Sequence, residues 1–169
     1  MPKRKTLLDV GCGEAGQCIK FAKEGYAVIG VEKNLVVFEK AKTNIDATKE
    51  KKCIKLYNKD IREIKLNKKF DVVLCNFVLM FMPKKDFLGL LEKFYAKLND
   101  KGELVIRVLM FDDPIAIAFK KKGDTFFPNY AELREVQGRY KCELQFKLVR
   151  HSNSTSPHIH SVGFLKIVK

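Results

Sequence analysis

Apolar and amphipathic segments alternate along most of the chain. Continuous apolar runs are typical of buried strands, whereas apolar side chains that recur every three or four positions are typical of helices. The predicted helices are residues 17–24, 34–49 and 84–98. The predicted strands are residues 6–10, 26–32, 53–58, the first part of 70–82, 103–111, 141–150 and 159–168. Strand and helix therefore alternate until the last two strands, which a loop rich in Ser, His and Pro connects.

This alternation predicts an α/β fold in which helices cover both faces of a mainly parallel sheet. Such a sheet binds its ligands outside the carboxyl ends of the strands, near the point where the strand order reverses. A candidate functional residue should therefore directly follow a strand. The length of 169 residues and the lack of a linker predict one domain, residues 1–169.

The composition narrows the class of protein. No apolar run approaches the roughly 20 residues that would cross a membrane, and the N-terminus lacks a cleavage-site pattern. The cysteines are odd in number and contain no C-x-x-C, which favours reduced thiols in the cytoplasm over a disulfide framework or a zinc site. They are Cys12, Cys18, Cys53, Cys75 and Cys142.

The net charge of +13 is compatible with a nucleic-acid partner or with an acidic substrate. Most of the 33 basic residues are Lys, however, and Arg is the better residue for bidentate phosphate recognition. The lysines are also spread along the chain, with the longest run at 120–122. We therefore favour a solvated Lys-rich surface and keep nucleic acid as a possible partner.

The stretch LLDVGCGEAG, residues 7–16, allows two interpretations. Gly11, Gly13 and Gly16 match G-x-G-x-x-G, the phosphate loop of nicotinamide-dependent oxidoreductases. The same stretch also contains D-x-G-x-G, starting at Asp9. Both interpretations place an acid about 20 residues further on to accept hydrogen bonds from an adenosine ribose, and Glu32 fits either.

Two further acids favour the second interpretation. Asp9 would repel a pyrophosphate but would attract a ligand with a positively charged amino group, which S-adenosylmethionine has. Asp60 follows the third strand, where it could accept a hydrogen bond from the adenine amine, with Ile61 in apolar contact. The alternative for Asp60 is an ordinary turn residue.

Five segments resemble the class I S-adenosylmethionine-dependent methyltransferases in order and spacing: LLDVGCG, GYAVIGVEKN, NKDI, KFDVVLCNFVLMFM and KLNDKGELVIR. The chain looks most similar to the tellurite-resistance-type methyltransferases, through GYAVIGVEKN, VLMFMPKKD and FFPNYAELREVQGRY. The resemblance implies a Rossmann-like fold with a seven-stranded, mostly parallel sheet and a C-terminal antiparallel hairpin. It also implies a transferase that methylates a small molecule, such as an oxyanion or another soft nucleophile, and yields S-adenosylhomocysteine.

The resemblance assigns roles position by position. Asn76, which follows the fourth strand, would face the transferred methyl group, with Phe77 and Val78 as the pocket wall. The expected cofactor-binding residues are Asp9, Gly11, Cys12, Gly13, Glu32, Lys33, Asp60, Ile61 and Asn76. In-line methyl transfer mainly requires alignment and exclusion of water, so the lack of a catalytic dyad does not argue against this activity.

The acceptor side is less defined by sequence. His151, His158 and His160 lie in or beside the C-terminal loop, which the family topology places on the ligand side. They could bind the acceptor, act as a base (His151) or ligate a metal, or they could belong to a polar hairpin loop. We expect no metal, because no nearby Asp or Cys completes a ligand set.

Two more acceptor-side candidates have structural alternatives. Asp112 follows the fifth strand, although Asp113-Pro114 could simply begin a helix. Phe126 precedes Phe127 in a loop that could cover the acceptor, although adjacent aromatic residues commonly pack in a core.

Two departures from the family pattern affect these expectations. Ala15 stands where the family has its third loop glycine. The first strand begins within about six residues of Met1, so the usual N-terminal cap helices are expected to be missing, and a homo-oligomer or a partner chain would cover the site. Other hypotheses remain: RNA or protein methylation, a non-catalytic S-adenosylmethionine-binding subunit, and a nicotinamide-dependent oxidoreductase, which Asp9 and Asp60 disfavour.

Overall fold

Seven strands form one sheet in the computed structural model, which describes residues 4–119, 125–151 and 158–169. The order across the sheet is β3-β2-β1-β4-β5-β7-β6. β1 to β5 pair in parallel, whereas β7 is antiparallel to both β5 and β6. The strands are β1 (Thr6–Val10), β2 (Ala27–Glu32), β3 (Ile54–Asn58), β4 (Phe70–Asn76), β5 (Leu98–Leu109), β6 (Cys142–His151) and β7 (His158–Val168). The predicted Rossmann-like fold with a C-terminal antiparallel hairpin is therefore confirmed.

Helices pack on both faces of this sheet because successive strand residues point to opposite sides. In β1, Leu7 packs with α1 and α2, whereas Leu8 belongs to the core formed with α3 and α5. Both leucines are fully buried. The α-helices are α1 (Gly16–Lys23), α2 (Leu35–Asp46), α3 (Lys84–Ala96), α4 (Pro114–Phe119) and α5 (Tyr130–Arg139).

The main differences from the predicted boundaries are at the ends of α2 and α3 and at the start of β5. The predicted helix 34–49 ends at Asp46, and a 3-10 turn (Lys49–Cys53) follows it. The predicted helix 84–98 ends at Ala96, and β5 begins at Leu98 rather than at 103. The cause is a tertiary contact: the Phe70 amide of β4 donates a hydrogen bond to the Lys97 carbonyl, which draws this segment into the sheet.

The helix α5 was not predicted from sequence. Asn129 caps it, since its side chain accepts a hydrogen bond from the Glu132 amide while the Glu132 carboxylate accepts one from the Asn129 amide. This reciprocal pair is a capping box. The N-x-x-E pattern at 129–132 was therefore the signal that could have identified the helix.

The carboxyl ends of the five parallel strands lie at one edge of the sheet, and the loop of residues 11–15 follows β1 there. From β1 the chain proceeds outward to β2 and β3 and then returns to place β4 on the other side of β1. This reversal between β1 and β4 is the position at which such sheets bind ligands. Within the described residues, no helix combines the length and the apolar character needed to cross a membrane.

Candidate functional site

A cavity of about 260 Å³ opens at this edge, across the carboxyl ends of β3, β2, β1 and β4. It contains seven of the residues predicted to form the site: Gly11, Glu32, Lys33, Asp60, Ile61, Asn76 and Phe77. Val78, the predicted wall residue, also lines it. Sequence analysis missed five of the lining residues: Val31, Lys59, Arg62, Phe81 and Met82.

The glycine loop approaches the cavity closely because its backbone is left-handed. Gly11 and Gly13 have φ values of 63° and 56°. A β-carbon at Gly11 would also overlap the Val78 side chain, so this position requires glycine. Ala15 has a φ of 68° immediately before α1, a conformation that glycine adopts at less cost than alanine. Gly16 is simply the first residue of α1 and has open space around it.

Glu32 connects the glycine loop to the segment after β2. One carboxylate oxygen accepts a hydrogen bond from the Gly13 amide (3.2 Å), and the other accepts one from the Asn34 amide (2.8 Å). Asn58 donates to the carbonyls of Glu32 and Lys33, so the end of β3 fixes the same segment. Glu32 is thus held at the cavity wall with both oxygens oriented by backbone donors.

Asp9 of β1 and Cys12 of the loop do not line the cavity. Asp9 is only 2% exposed, and its carboxylate accepts a hydrogen bond from the Cys18 thiol at 3.3 Å. Burial raises the pKa of Asp9 to about 6, and the nearby Glu32 carboxylate adds to this. Cys12 packs among buried apolar side chains between the sheet and α1.

Asp60 lines the cavity, and its side chain also forms the turn contact that the alternative interpretation describes. Its Oδ1 accepts hydrogen bonds from the Arg62 amide (2.9 Å) and Nε (3.0 Å), and its Oδ2 pairs with Arg62 Nη2 at 2.7 Å. The Arg62 guanidinium lowers the pKa of Asp60. Arg62 also reaches Asp86 of α3 at 3.1 Å.

The segment after β3 is held in place by α3. Besides the contact between Asp86 and Arg62, the Lys93 ammonium donates to the carbonyls of Ile61 (3.2 Å) and Ile64 (2.8 Å). Ile61 is buried and lines the cavity. Asp60 and Ile61, the residues expected to contact the adenine, therefore lie on a segment that α3 holds in place from one side.

Asn76 has an unpartnered acceptor. Among the described residues, Asn76 Oδ1 is the one buried side-chain oxygen or nitrogen atom that has no hydrogen-bond partner. The next residue, Phe77, has a left-handed backbone (φ 57°), an uncommon conformation for a bulky side chain that often accompanies functional sites. Asn76 ends β4, and Phe77 connects it to Val78, whose side chain lies close to Gly11.

Three acceptor-side candidates lie away from the cavity wall. Phe126 packs edge-on against Phe87 of α3 with ring centroids 5.2 Å apart, as the core-packing alternative describes. Asp112 accepts a hydrogen bond from the Tyr130 hydroxyl at 3.0 Å. His160 is buried, with its Nδ1 3.0 Å from the Asp113 carboxylate, which also accepts a hydrogen bond from the Ile115 amide at the start of α4.

The side chains of the other two histidines, His151 and His158, lie outside the described residues. Their backbones form the last pair of the hairpin between β6 and β7. No three His, Cys, Asp or Glu side chains within the described ranges are arranged to hold a metal ion.

The residues at the cavity fit the expected cofactor. The oriented Glu32 carboxylate could accept hydrogen bonds from ribose hydroxyls, and Asp60 could accept one beside Ile61. The unpartnered Asn76 oxygen could accept a hydrogen bond from a ligand donor or from a polarised C–H group. Asp60, Glu32 and Asn76 follow one another across the sheet in the order of β3, β2 and β4, with β1 between the last two. A model of the methyltransferase domain matches residues 7–102 of this chain.

The chain belongs to the S-adenosylmethionine-dependent methyltransferase domain family. The resemblance, the enzyme class and the cofactor expected from sequence are thereby confirmed at the level of the family. The family model spans every parallel strand up to the start of β5.

Relatives of this methyltransferase include the carboxy-S-adenosyl-L-methionine synthase of Histophilus somni. The two are 27% identical over 173 residues, which is 95% of this chain and 69% of the relative. The synthase of Vibrio parahaemolyticus is 28% identical over 96% of this chain and 66% of its own length.

Solved structures share the fold. TehB from Haemophilus influenzae superposes with a TM-score of 0.79 and 17% identity. The alignment covers 99% of this methyltransferase but only 58% of the TehB chain. Magnesium protoporphyrin IX methyltransferase from Synechocystis, with bound SAH (S-adenosylhomocysteine), has a TM-score of 0.71 and 17% identity, over 98% of this chain and 74% of that one.

Proposed function

We propose that this chain binds S-adenosylmethionine in the edge cavity and transfers its methyl group to a small-molecule acceptor. The observation that carries the proposal is that one cavity contains Glu32, Asp60 and Asn76, which end or closely follow three different parallel strands. When bound, S-adenosylmethionine supplies a methyl group on a good leaving group. The acceptor is an oxyanion or another soft nucleophile, and residues 1–169 act as one domain.

Each residue has a distinct part in this proposal. Glu32 holds the ribose, while Asp60 and Ile61 hold the adenine, with Lys33 alongside. The glycine backbone at 11 and 13 allows the methionine part to approach the start of α1, and Asp9 stays the predicted partner of its amino group. Asn76 faces the methyl group, and Phe77 excludes water from it.

Calorimetry tests the cofactor part of this proposal. The protein should bind S-adenosylhomocysteine in the micromolar range and give no heat with NAD. Glu32→Gln should weaken this binding at least about tenfold, because the amide nitrogen that replaces one carboxylate oxygen can accept a hydrogen bond neither from a ribose hydroxyl nor from the Gly13 or Asn34 amide. Glu39→Gln, the same substitution at an exposed site on α2, is the matched control and should bind normally.

Two results would contradict the proposal. One is heat with NAD and none with S-adenosylhomocysteine, which would restore the oxidoreductase hypothesis. The other is equal binding by the Glu32 and Glu39 variants, which would place the ribose elsewhere. Tight binding without turnover on any acceptor would instead favour the non-catalytic subunit.

Similarity to the carboxy-S-adenosyl-L-methionine synthases provides a second candidate activity. Mass spectrometry of reaction mixtures distinguishes the two activities. A methylated acceptor together with S-adenosylhomocysteine supports methyl transfer, whereas accumulation of a carboxylated form of S-adenosylmethionine supports the synthase activity.

A nucleic-acid acceptor is a further alternative that a specific surface favours. A groove of about 620 Å³ adjoins the cavity, and Lys59 lines both. Lys55, Lys65 and Lys68 also line the groove, together with the half-exposed Tyr57, so cations surround an aromatic platform.

Binding of a labelled single-stranded RNA tests this alternative. It predicts a steep loss of affinity with salt, a loss on combining Lys55→Ala with Lys65→Ala, and methyl incorporation into the RNA. Lys20→Ala combined with Lys23→Ala on α1 removes the same charge elsewhere. If the two double variants bind RNA equally, the groove is not the RNA site.

Coverage of the cavity by a second copy of the chain or by a partner stays a prediction. A cytoplasmic location is likewise proposed, and the five unpaired thiols support it.

A further inference from the structure

The cavity wall is divided by charge. On the side of β2 and β3 its lining contains five charged side chains: Glu32, Lys33, Lys59, Asp60 and Arg62. On the side of β4 the lining side chains are uncharged: Asn76, Phe77, Val78, Phe81 and Met82. In the proposed function, the first side holds the adenosine, and the second side surrounds the methyl group and receives the acceptor.

The β4 side presents aromatic surface that is fixed from behind. Phe81 is 43% exposed, and its ring packs edge-on against Phe119 (centroids 5.7 Å apart) and Phe127 (6.3 Å). Phe127 is buried, so it anchors Phe81 to the core. Phe77 is 38% exposed and has a left-handed backbone, so this half-exposed ring occupies a strained position next to Asn76. Half-exposed rings with a rigid backing are suited to an apolar, flat ligand.

Among the described residues that line this side, none can accept a proton near neutral pH. None of its described lining side chains titrates near neutral pH, since Asn76 is the polar one among them. An alcohol or ammonium acceptor requires a base to remove its proton, and a base within hydrogen-bond reach is the expected arrangement for it. An acceptor that ionises unaided near neutral pH needs none.

From these two properties we infer that the acceptor is an aromatic thiol, which this side of the cavity binds as its thiolate. The inference rests on the proposed function and specifies its substrate class. The thiol proton leaves to solvent before the reaction. The thiolate sulfur then forms a bond to the methyl carbon, the bond from that carbon to the sulfonium sulfur breaks, and its electron pair stays on the cofactor sulfur. The products are an aryl methyl thioether and S-adenosylhomocysteine.

Product binding tests the ring recognition without relying on activity. The protein saturated with S-adenosylhomocysteine should bind thioanisole at least about tenfold more tightly than cyclohexyl methyl sulfide, because a saturated ring cannot make edge-to-face contacts with Phe77 and Phe81. Saturation-transfer NMR or calorimetry measures both affinities. Equal affinity for the two sulfides would overturn the aromatic part of the inference.

Two variants locate the contact. Phe81→Leu keeps most of the apolar area but removes the ring, and it should weaken thioanisole binding several-fold more than it weakens S-adenosylhomocysteine binding. Ile117→Ala truncates an exposed apolar side chain of α4 that does not line the cavity, and it should change neither affinity. A thermal melt verifies that each variant folds. If Ile117→Ala weakens thioanisole binding as much as Phe81→Leu does, the contact is misplaced.

The pH profile tests the absence of a protein base. With thiophenols of different acidity, the midpoint of kcat/KM against pH should follow the pKa of each thiol. A midpoint that stays constant across the series would reveal a titrating protein group and contradict the inference. Failure of the proposed function is distinguishable, because the protein would then not bind S-adenosylhomocysteine at all.

Discussion

At the scale of single residues, the candidate site depends on backbone conformations that most side chains avoid. Gly11, Gly13 and Ala15 are left-handed in the loop after β1, and Phe77 is left-handed after β4. These two segments meet where Gly11 approaches Val78. A small change in either segment should therefore affect the cavity more than its size suggests.

Gly11→Ala tests this contact. The new methyl group would overlap Val78, and alanine is strained at a φ of 63°, so the free energy of unfolding should fall by about 2 kcal/mol or more. Binding of S-adenosylhomocysteine should be lost. Gly16→Ala is the control, because Gly16 has open space and lies at the start of α1. Denaturant unfolding and calorimetry measure both effects, and equal behaviour of the two variants would contradict the account.

Asp9 should make stability depend on pH. Its pKa is raised by burial to about 6, so between about pH 4 and pH 6 the folded state holds a proton that the unfolded chain has released. The free energy of unfolding should therefore fall as pH rises through this window, by up to about 3 kcal/mol. Asp9→Asn should abolish that fall, whereas Asp46→Asn, at an exposed site on α2, should retain it. Urea unfolding across this pH range decides the question.

The sequence was sufficient to predict site residues whose position after an apolar strand indicates their role. Glu32, Asp60 and Asn76 each end or follow an apolar strand, and all three line the cavity. It was insufficient for Arg62, which joins the cavity wall by pairing with Asp60 and Asp86 of α3. It also missed Phe81, whose partial exposure depends on packing against rings almost 40 and more residues away in sequence.

At the scale of elements, strands with continuous apolar runs were predictable, whereas helices with few apolar residues were not. α5 buries only Leu133 and Val136, so its pattern is weak, and its start depends on the capping box of Asn129 and Glu132. The early start of β5 depends on pairing with Phe70, a tertiary contact that local sequence does not encode.

Asn129→Ala should destabilise the protein by about 1 kcal/mol, because the Glu132 amide at the start of α5 loses its acceptor. Asn129→Ser retains a capping oxygen and should cost much less. Thermal or chemical unfolding of both variants gives the comparison. Equal losses would indicate that the capping box does not determine the start of α5.

At the scale of the whole molecule, the sheet topology explains why these residues converge. The reversal between β1 and β4 brings the ends of β3, β2, β1 and β4 to one cavity, and α3 fixes the segment after β3 through Asp86 and Lys93. The same order gives the cavity a charged side and an aromatic side. The net charge of +13 belongs to the whole chain, so by itself it does not distinguish a small anionic acceptor from RNA. The lysine-lined groove beside Lys59 is the feature that favours RNA specifically.

A crystal structure of the protein with S-adenosylhomocysteine tests the central claim most directly. The account predicts that the ribose hydroxyls lie within hydrogen-bond distance of the Glu32 carboxylate, with the adenine beside Asp60 and Ile61. The sulfur should lie nearest Asn76 and the aromatic side of the cavity. A ligand bound outside the cavity, or bound with its adenine against Asn76 and Phe77, would contradict the account.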